Sequence, residues 1–131
     1  MITKNDIEKL VVNAVTDIAN MSEYSTTEKI VGKWIDGKPL YQKTINFGSL
    51  PNNTTKDVAH GVSNMGIMVE CLGVATSSTE ILPLPRVSVG TQDPKYSISL
   101  SASTTYIRIV TGFDRSPFSA YVTIRYTKTT D

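Results

Sequence analysis

The sequence holds one cysteine and one histidine in 131 residues. A single thiol excludes a disulfide framework within the chain and a multi-cysteine zinc site. A single imidazole leaves no histidine cluster, so no metal and no cofactor is expected. Charge is scarce too. Only 19% of residues are charged and the formal net charge is +1, where a quarter is usual. No basic run offers an electrostatic footprint for nucleic acid, which is excluded as a partner. No apolar stretch reaches the roughly 18 residues of a membrane span, so membrane insertion is not expected. Met1 to Asp6 leads into Glu8, Asn13 and Asp17 rather than the apolar segment of a secretory signal. The expectation is a protein made in the cytoplasm and not exported by the general route. Phosphate-cradling glycine loops, Gly-x-Ser-x-Gly and His-Glu-x-x-His are missing as well.

In place of charge the chain carries hydroxyls. Ser and Thr together number about 30, and Thr is the commonest residue. Thr is β-branched and suits a half-buried pleated surface. The length fits one domain with a small appendage, able to bury a core without staples. Composition therefore points to an all-β domain with a neutral, hydroxyl-rich exterior.

The first two dozen residues differ. Thr3, with Asp6 three residues on, reads as a helix N-cap with an acid in the first turn. Ile7, Leu10, Val11, Ala14, Ile18 and Met21 then recur at steps of three and four. The pattern predicts a helix over residues 4–21, about 27 Å long. Val12 and Val15 widen its apolar stripe. A lone helix of this length is marginal in water and has to pack on something. Two partners are open: the β domain of its own chain, or copies of itself in a short parallel bundle. For the bundle, Ile7, Leu10, Ala14 and Met21 take a and d positions of two to three heptads, with polar Asp17 in the remaining slot.

From residue 27 the period changes to two. Strands are expected over 28–35 and 38–47, joined by the hairpin signal Asp36-Gly37. Pro39 marks an unpaired strand end. A short strand follows over 57–62. Residues 67–75 are almost continuously apolar, which predicts a strand covered on both faces. Pro83 and Pro85 make 81–89 irregular or an edge. Tyr96, Ile98 and Leu100 alternate with serines as a half-buried strand, and 105–111 and 121–129 complete the set. About eight short strands with turn signals between them indicate a β-sandwich or jelly roll of antiparallel strands. The expected division is a helix, 1–23, serving oligomerisation or attachment, and a β-sandwich knob, 24–131.

Few residues invite chemistry. Cys71 and His60 could in principle pair as nucleophile and base, but Cys71 lies in an apolar strand and reads as a small hydrophobe. The acids are scattered, without the two carboxylates that glycoside hydrolysis needs flanking one bond. Glu70 interrupts the most apolar strand. It is expected to face outward or to meet Arg86 or Arg108. Trp34 is expected in the core or between the sheets. Phe113 and Phe118 flank Asp114, Arg115 and Pro117 in a loop. They either fold back to cap the sandwich or meet a neighbouring subunit or ligand. No catalytic residue emerges, and an enzyme is not expected.

One segment has a recognisable likeness. Tyr24-Ser25-Thr26-Thr27-Glu28, followed by Gly32-Lys33-Trp34-Ile35-Asp36-Gly37-Lys38-Pro39-Leu40-Tyr41, resembles a recurrent stretch of bacteriophage and prophage fibre proteins. Phe113-Asp114-Arg115 and the closing residues 121–131 are similar to their C-termini. The resemblance implies a β-structured knob on a virion head or tail fibre, usually homotrimeric and made in the host bacterial cytoplasm. Its partners would be its own copies and other virion proteins of the capsid or the tail and baseplate. In that setting Ile7, Leu10, Val11, Ala14, Ile18 and Met21 would line the three-fold axis. Phe113, Asp114, Arg115 and Phe118 would form a candidate ligand or partner loop. The alternative is a host-glycan-binding adhesin domain of a tail fibre, holding a surface polysaccharide on loops 49–56, 76–79 and 113–118. A hydroxyl-rich neutral surface suits weak contacts multiplied by avidity.

Overall fold

The computed structural model describes the backbone of residues 1–21 and 23–131 and the side chains of residues 1–14 and 23–131. Helix α1 spans Lys4–Met21, as the periodicity predicts. Its start is capped reciprocally. The Asp6 N–H donates to Thr3 Oγ1 at 3.2 Å, and the Thr3 N–H donates to Asp6 Oδ2 at 3.0 Å. These bonds, the Thr3 backbone bond foremost, hold the Asp6 carboxyl below its ordinary value. The charge thus stays at the positive end of the helix dipole.

Eight strands follow among the described residues: β1 (Lys29–Lys33), β2 (Pro39–Ser49), β3 (Thr55–Ala59), β4 (Met65–Thr76), β5 (Ile81–Leu84), β6 (Ile98–Ala102), β7 (Tyr106–Thr111) and β8 (Ser119–Lys128). They form two antiparallel sheets, one ordered β1-β2-β8-β4-β5 and one ordered β3-β7-β6. The chain crosses between sheets after β2, β3, β5 and β7, the wrapping of a jelly-roll-like sandwich. Strand alternation sends Ile45 and Phe47 of β2 and Ala120, Val122, Ile124 and Tyr126 of β8 inward. There they meet Ile98, Ile107 and Ile109 of the smaller sheet and Leu82 and Leu84 of β5. The fold class read from the sequence stands.

Several local expectations change. The β1–β2 hairpin closes over three residues rather than two. The Trp34 N–H donates to the Lys38 carbonyl at 2.9 Å and the Gly37 N–H to the Trp34 carbonyl at 2.9 Å. Gly37 takes a left-handed φ of 87°, the form of a three-residue hairpin. Trp34 sits half-buried at this turn, outside the core cluster. Tyr96 belongs to a 3-10 turn, Pro94–Tyr96, rather than to a strand, because Pro94 fixes the turn conformation at its start. Pro39 pairs with Lys33, while the β2–β8 ladder begins only at Tyr41, so its missing N–H leaves no bond unmade.

The largest correction concerns β4, whose outer face is bare. Ile67, Leu72 and Val74 are exposed. An antiparallel sandwich covers one face of each sheet, and two register shifts between Met65 and Glu70 break the period of two. The described part of α1 does not bury its apolar side chains on its own domain. Every described helix side chain is exposed, and the helix meets the sandwich at β1.

The central strand sets the energetics. Ile124 is fully buried in β8 between β2 and β4. Ile124→Ala removes its contacts with both sheets and is expected to cost about 2–5 kcal/mol. Urea unfolding followed by circular dichroism measures this, and an unchanged midpoint refutes the packing described.

Candidate functional site

The loop at residues 113–118 turns inward. Phe118 packs in the core, and Arg115 is only 8% exposed. Arg115 Nη2 donates to the Tyr96 carbonyl at 2.7 Å. Its guanidinium lies 5.5 Å from the Phe113 ring centroid, 5.7 Å from that of Phe118 and 6.0 Å from that of Tyr96. Burial, and secondarily Arg86, lowers its pKa from the ordinary arginine value. Phe113 meets Tyr96 edge-on at 5.0 Å and remains exposed, as does Asp114. Asp114 Oδ1 accepts from the Ser116 N–H at 2.9 Å, and bonds from Ser116 hold its carboxyl below the usual range. Of the four residues expected to form a partner loop, Arg115 and Phe118 therefore cap the sandwich. Phe113 and Asp114 keep an outward surface.

His60 is buried and fully engaged. The Val62 N–H donates to Nδ1 at 3.1 Å, which assigns the proton to Nε2, and Nε2 lies 3.1 Å from the Ser103 carbonyl. Burial pushes the Cys71 thiol up to about 11, away from the thiolate form. Both His60 ring nitrogens are thus taken up by backbone groups rather than by Cys71. Glu70 faces outward and lies 3.5 Å from Arg125, not beside Arg86 or Arg108. Arg108 instead grips Asp57 across β3 and β7 through two bonds of 2.8 and 2.9 Å. That grip holds the Asp57 carboxyl down.

A different surface stands out. The outer face of the five-stranded sheet carries an open groove of about 450 Å³. Register sets its rows: Gln42, Arg125 and Glu70 lie abreast on β2, β8 and β4, and Thr44, Thr123 and Leu72 lie beside them. Arg125 Nε donates to Gln42 Oε1 at 2.9 Å, and the Thr44 and Thr123 hydroxyls bond at 2.9 Å. Val74, Tyr121 and Tyr24 complete the lining. Leu72 is 59% exposed and Tyr121 51%. The groove's charged lining residues, Glu70 and Arg125, offset each other. Sequence patterning missed this surface because it assigned both faces of β4 to burial.

Near the helix, a polar cluster ties the linker to the end of the sandwich. Tyr126 donates to Glu28 Oε1 at 2.5 Å and Lys128 donates to Glu28 Oε2 at 2.7 Å. Tyr41 stacks on Tyr126 at 5.8 Å and donates to Asp131 Oδ2 at 2.6 Å. The side chains of Ile18 and Met21, expected on the helix interface, lie outside the described residues. Ile7, Leu10, Val11 and Ala14 lie on the exposed helix. Among the described residues no group of three or more His, Cys, Asp or Glu could hold a metal ion.

Comparison with protein families, curated proteins and solved structures finds no match to this chain.

The tyrosine cluster gives a signed pH dependence. The Asp131 bond pushes the Tyr41 phenol up to about 12. Burial, then the Glu28 bond, raises Tyr126 as well. Both shifts favour the neutral phenol in the folded state. Their stabilisation is therefore full below the ordinary tyrosine value of about 10 and is lost as pH rises through it toward the folded values. The thermal midpoint should fall above that pH. Ultraviolet titration should show one phenol ionising near 12, and Asp131→Asn should bring that step down. A titration identical in the variant contradicts the assignment.

Proposed function

We propose that this chain is a structural protein of a phage particle, a homotrimeric fibre or head-decoration knob on the virion surface. The phage assignment rests on the resemblance of the Tyr24–Tyr41 segment to fibre proteins. The observation that carries the trimer is the helix. It is capped and regular, yet Ile7 is 53%, Leu10 67% and Val11 58% exposed, with Ala14 exposed beside them. An isolated helix of this length is marginal in water. A parallel bundle of three copies removes that stripe from solvent.

The bare face of β4 supports the same reading. Tyr24 lines its groove and lies three residues beyond Met21, within about 11 Å of chain. Helices in a bundle sit roughly 8–10 Å apart, so bundling brings the three grooves close to the axis. Because Glu70 and Arg125 balance within each subunit, identical copies approach without net repulsion from this face. In this reading the protein has no catalytic role. It works by holding its own copies together and by attachment to capsid or tail proteins.

Light scattering of the purified chain should return three times the 14.3 kDa chain mass. Leu10→Asp should raise the concentration of half-dissociation at least about tenfold while leaving the β-domain dichroism unchanged. A wild-type monomer at micromolar concentration removes the trimer. A variant trimer as tight as wild type shows that the β domains alone hold it. Immunogold labelling of particles tests the virion location, and label absent from particles overturns it.

A further inference from the structure

We propose that the end of the sandwich beside the 113–118 loop is an oxyanion site, in which Arg86, Ser88 and Arg115 bind a phosphate-sized group. This inference goes beyond the fibre reading and does not depend on it.

The three residues meet at one stretch of backbone for structural reasons. Arg86 bridges Ile98 across an isolated antiparallel contact, with backbone bonds of 3.0 and 2.9 Å in the two directions. Directly opposed residues of an antiparallel pair project to the same face. Ile98 is a core residue at 1% exposure, so Arg86 projects to the interior side at the margin of the sandwich. Ser88, two residues on, is buried, and its N–H donates to Ser97 Oγ at 2.9 Å. Arg115 reaches the same segment from the other loop through its bond to the Tyr96 carbonyl. All three residues therefore pack around residues 96–98.

One polar side-chain atom of each is left without a protein partner. Arg86 Nε, Ser88 Oγ and Arg115 Nε are buried without a hydrogen-bond partner. Ser88 and Arg115 are each more than nine-tenths buried. Buried donors are almost always paired, and neighbouring guanidinium groups repel each other, a repulsion an anion relieves. Among the described residues neither arginine forms an ion pair with a carboxylate. Glu80 acts on Arg115 electrostatically without contact, and Arg86 acts on it as a like charge. Lys95 adds a third cation nearby, with its Nζ 5.3 Å from the Tyr96 ring.

Guanidinium forks and a hydroxyl donor match the oxygens of phosphate, sulfate or carboxylate. A free ion and an anionic group on a larger ligand offer the same oxygens. The site is a cluster of donors with no base bonded to the Ser88 hydroxyl, so it binds and does not react.

The test is thermal unfolding of the full chain in inorganic phosphate, with sodium chloride at matched ionic strength as reference and acetate as a second arm. Wild type should gain stability in proportion to ln(1 + [phosphate]/Kd), with Kd in the low millimolar range. Arg86→Gln should raise that Kd at least about tenfold, and Ser88→Ala should raise it by a smaller factor. Phosphate also stabilises proteins generally through exclusion from their surface. That effect rises linearly with concentration and is the same in wild type and variants. A logarithmic gain in acetate at comparable concentration assigns the site to carboxylate-bearing ligands, and one in phosphate alone assigns it to phosphate-bearing ones. If Arg86→Gln fails to fold by circular dichroism, Ser88→Ala decides. A gain that is purely linear in concentration, or that is equal in wild type and the folded variants, overturns the site.

Discussion

The register of β8 is the constraint on which the rest of the molecule depends. β8 pairs with β2 on one edge and β4 on the other, so its alternation decides which face of the larger sheet is buried. A slip of one residue would exchange Ala120, Val122, Ile124 and Tyr126 for Tyr121, Thr123 and Arg125 on the interior. Four inward side chains with no exposure leave no tolerance for that exchange. β8 closes the fold from the end of the chain, and most of its partners are distant in sequence. The core is thus completed only when the last strand docks between two that were made much earlier.

Tyr126 shows how this constraint reaches beyond the core. Its ring is fully buried, yet its hydroxyl needs an acceptor. Glu28 supplies one from the segment that follows the helix, and Lys128 neutralises that carboxylate from the same strand. A core residue is thereby bonded to the linker, and the Thr44 N–H adds a bond of 2.8 Å to the Ser25 carbonyl. The described helix side chains stay exposed while the chain that leaves the helix is fastened.

What the sequence disclosed follows from which signals are local. The helix was legible because Thr3 and Asp6 cap it and its apolar steps are regular. The sandwich was legible because β7 and β8 alternate cleanly. The hairpin was found, but its third loop residue was not, since Asp36-Gly37 serves a two- or three-residue connection equally well. β4 was misread for a physical reason. Its two bulges shift the inward set part-way along, and its outer residues Leu72 and Val74 are as apolar as its inner ones. Periodicity cannot separate a strand buried on both faces from one whose second apolar face is exposed. The loop residues failed differently. Nothing local to Arg115 announces that it will fold under Phe113 and reach Tyr96, because its acceptor is nineteen positions away. Arg86 entered only as a possible partner of Glu70, and the bridge to Ile98 that turns it inward is a tertiary fact.

The scarcity of charge sharpens the reading of the charges that remain. Most cations here are pinned to identifiable oxygens. Lys43 donates to the His60 carbonyl at 2.7 Å, and Lys56 to the Phe47 and Ser49 carbonyls at 3.2 and 2.6 Å. Arg108 is held by Asp57, Arg125 by Gln42 and Glu70, and Lys128 by Glu28. Each of these cations fastens one strand or loop to another. Arg86 and Arg115 differ in keeping a buried Nε without a partner, although Arg115 also reaches the Tyr96 carbonyl. A net charge of +1 averages this local excess away. Desolvating like charges together is costly in any fold, and among the described residues no carboxylate pairs with either arginine to offset it.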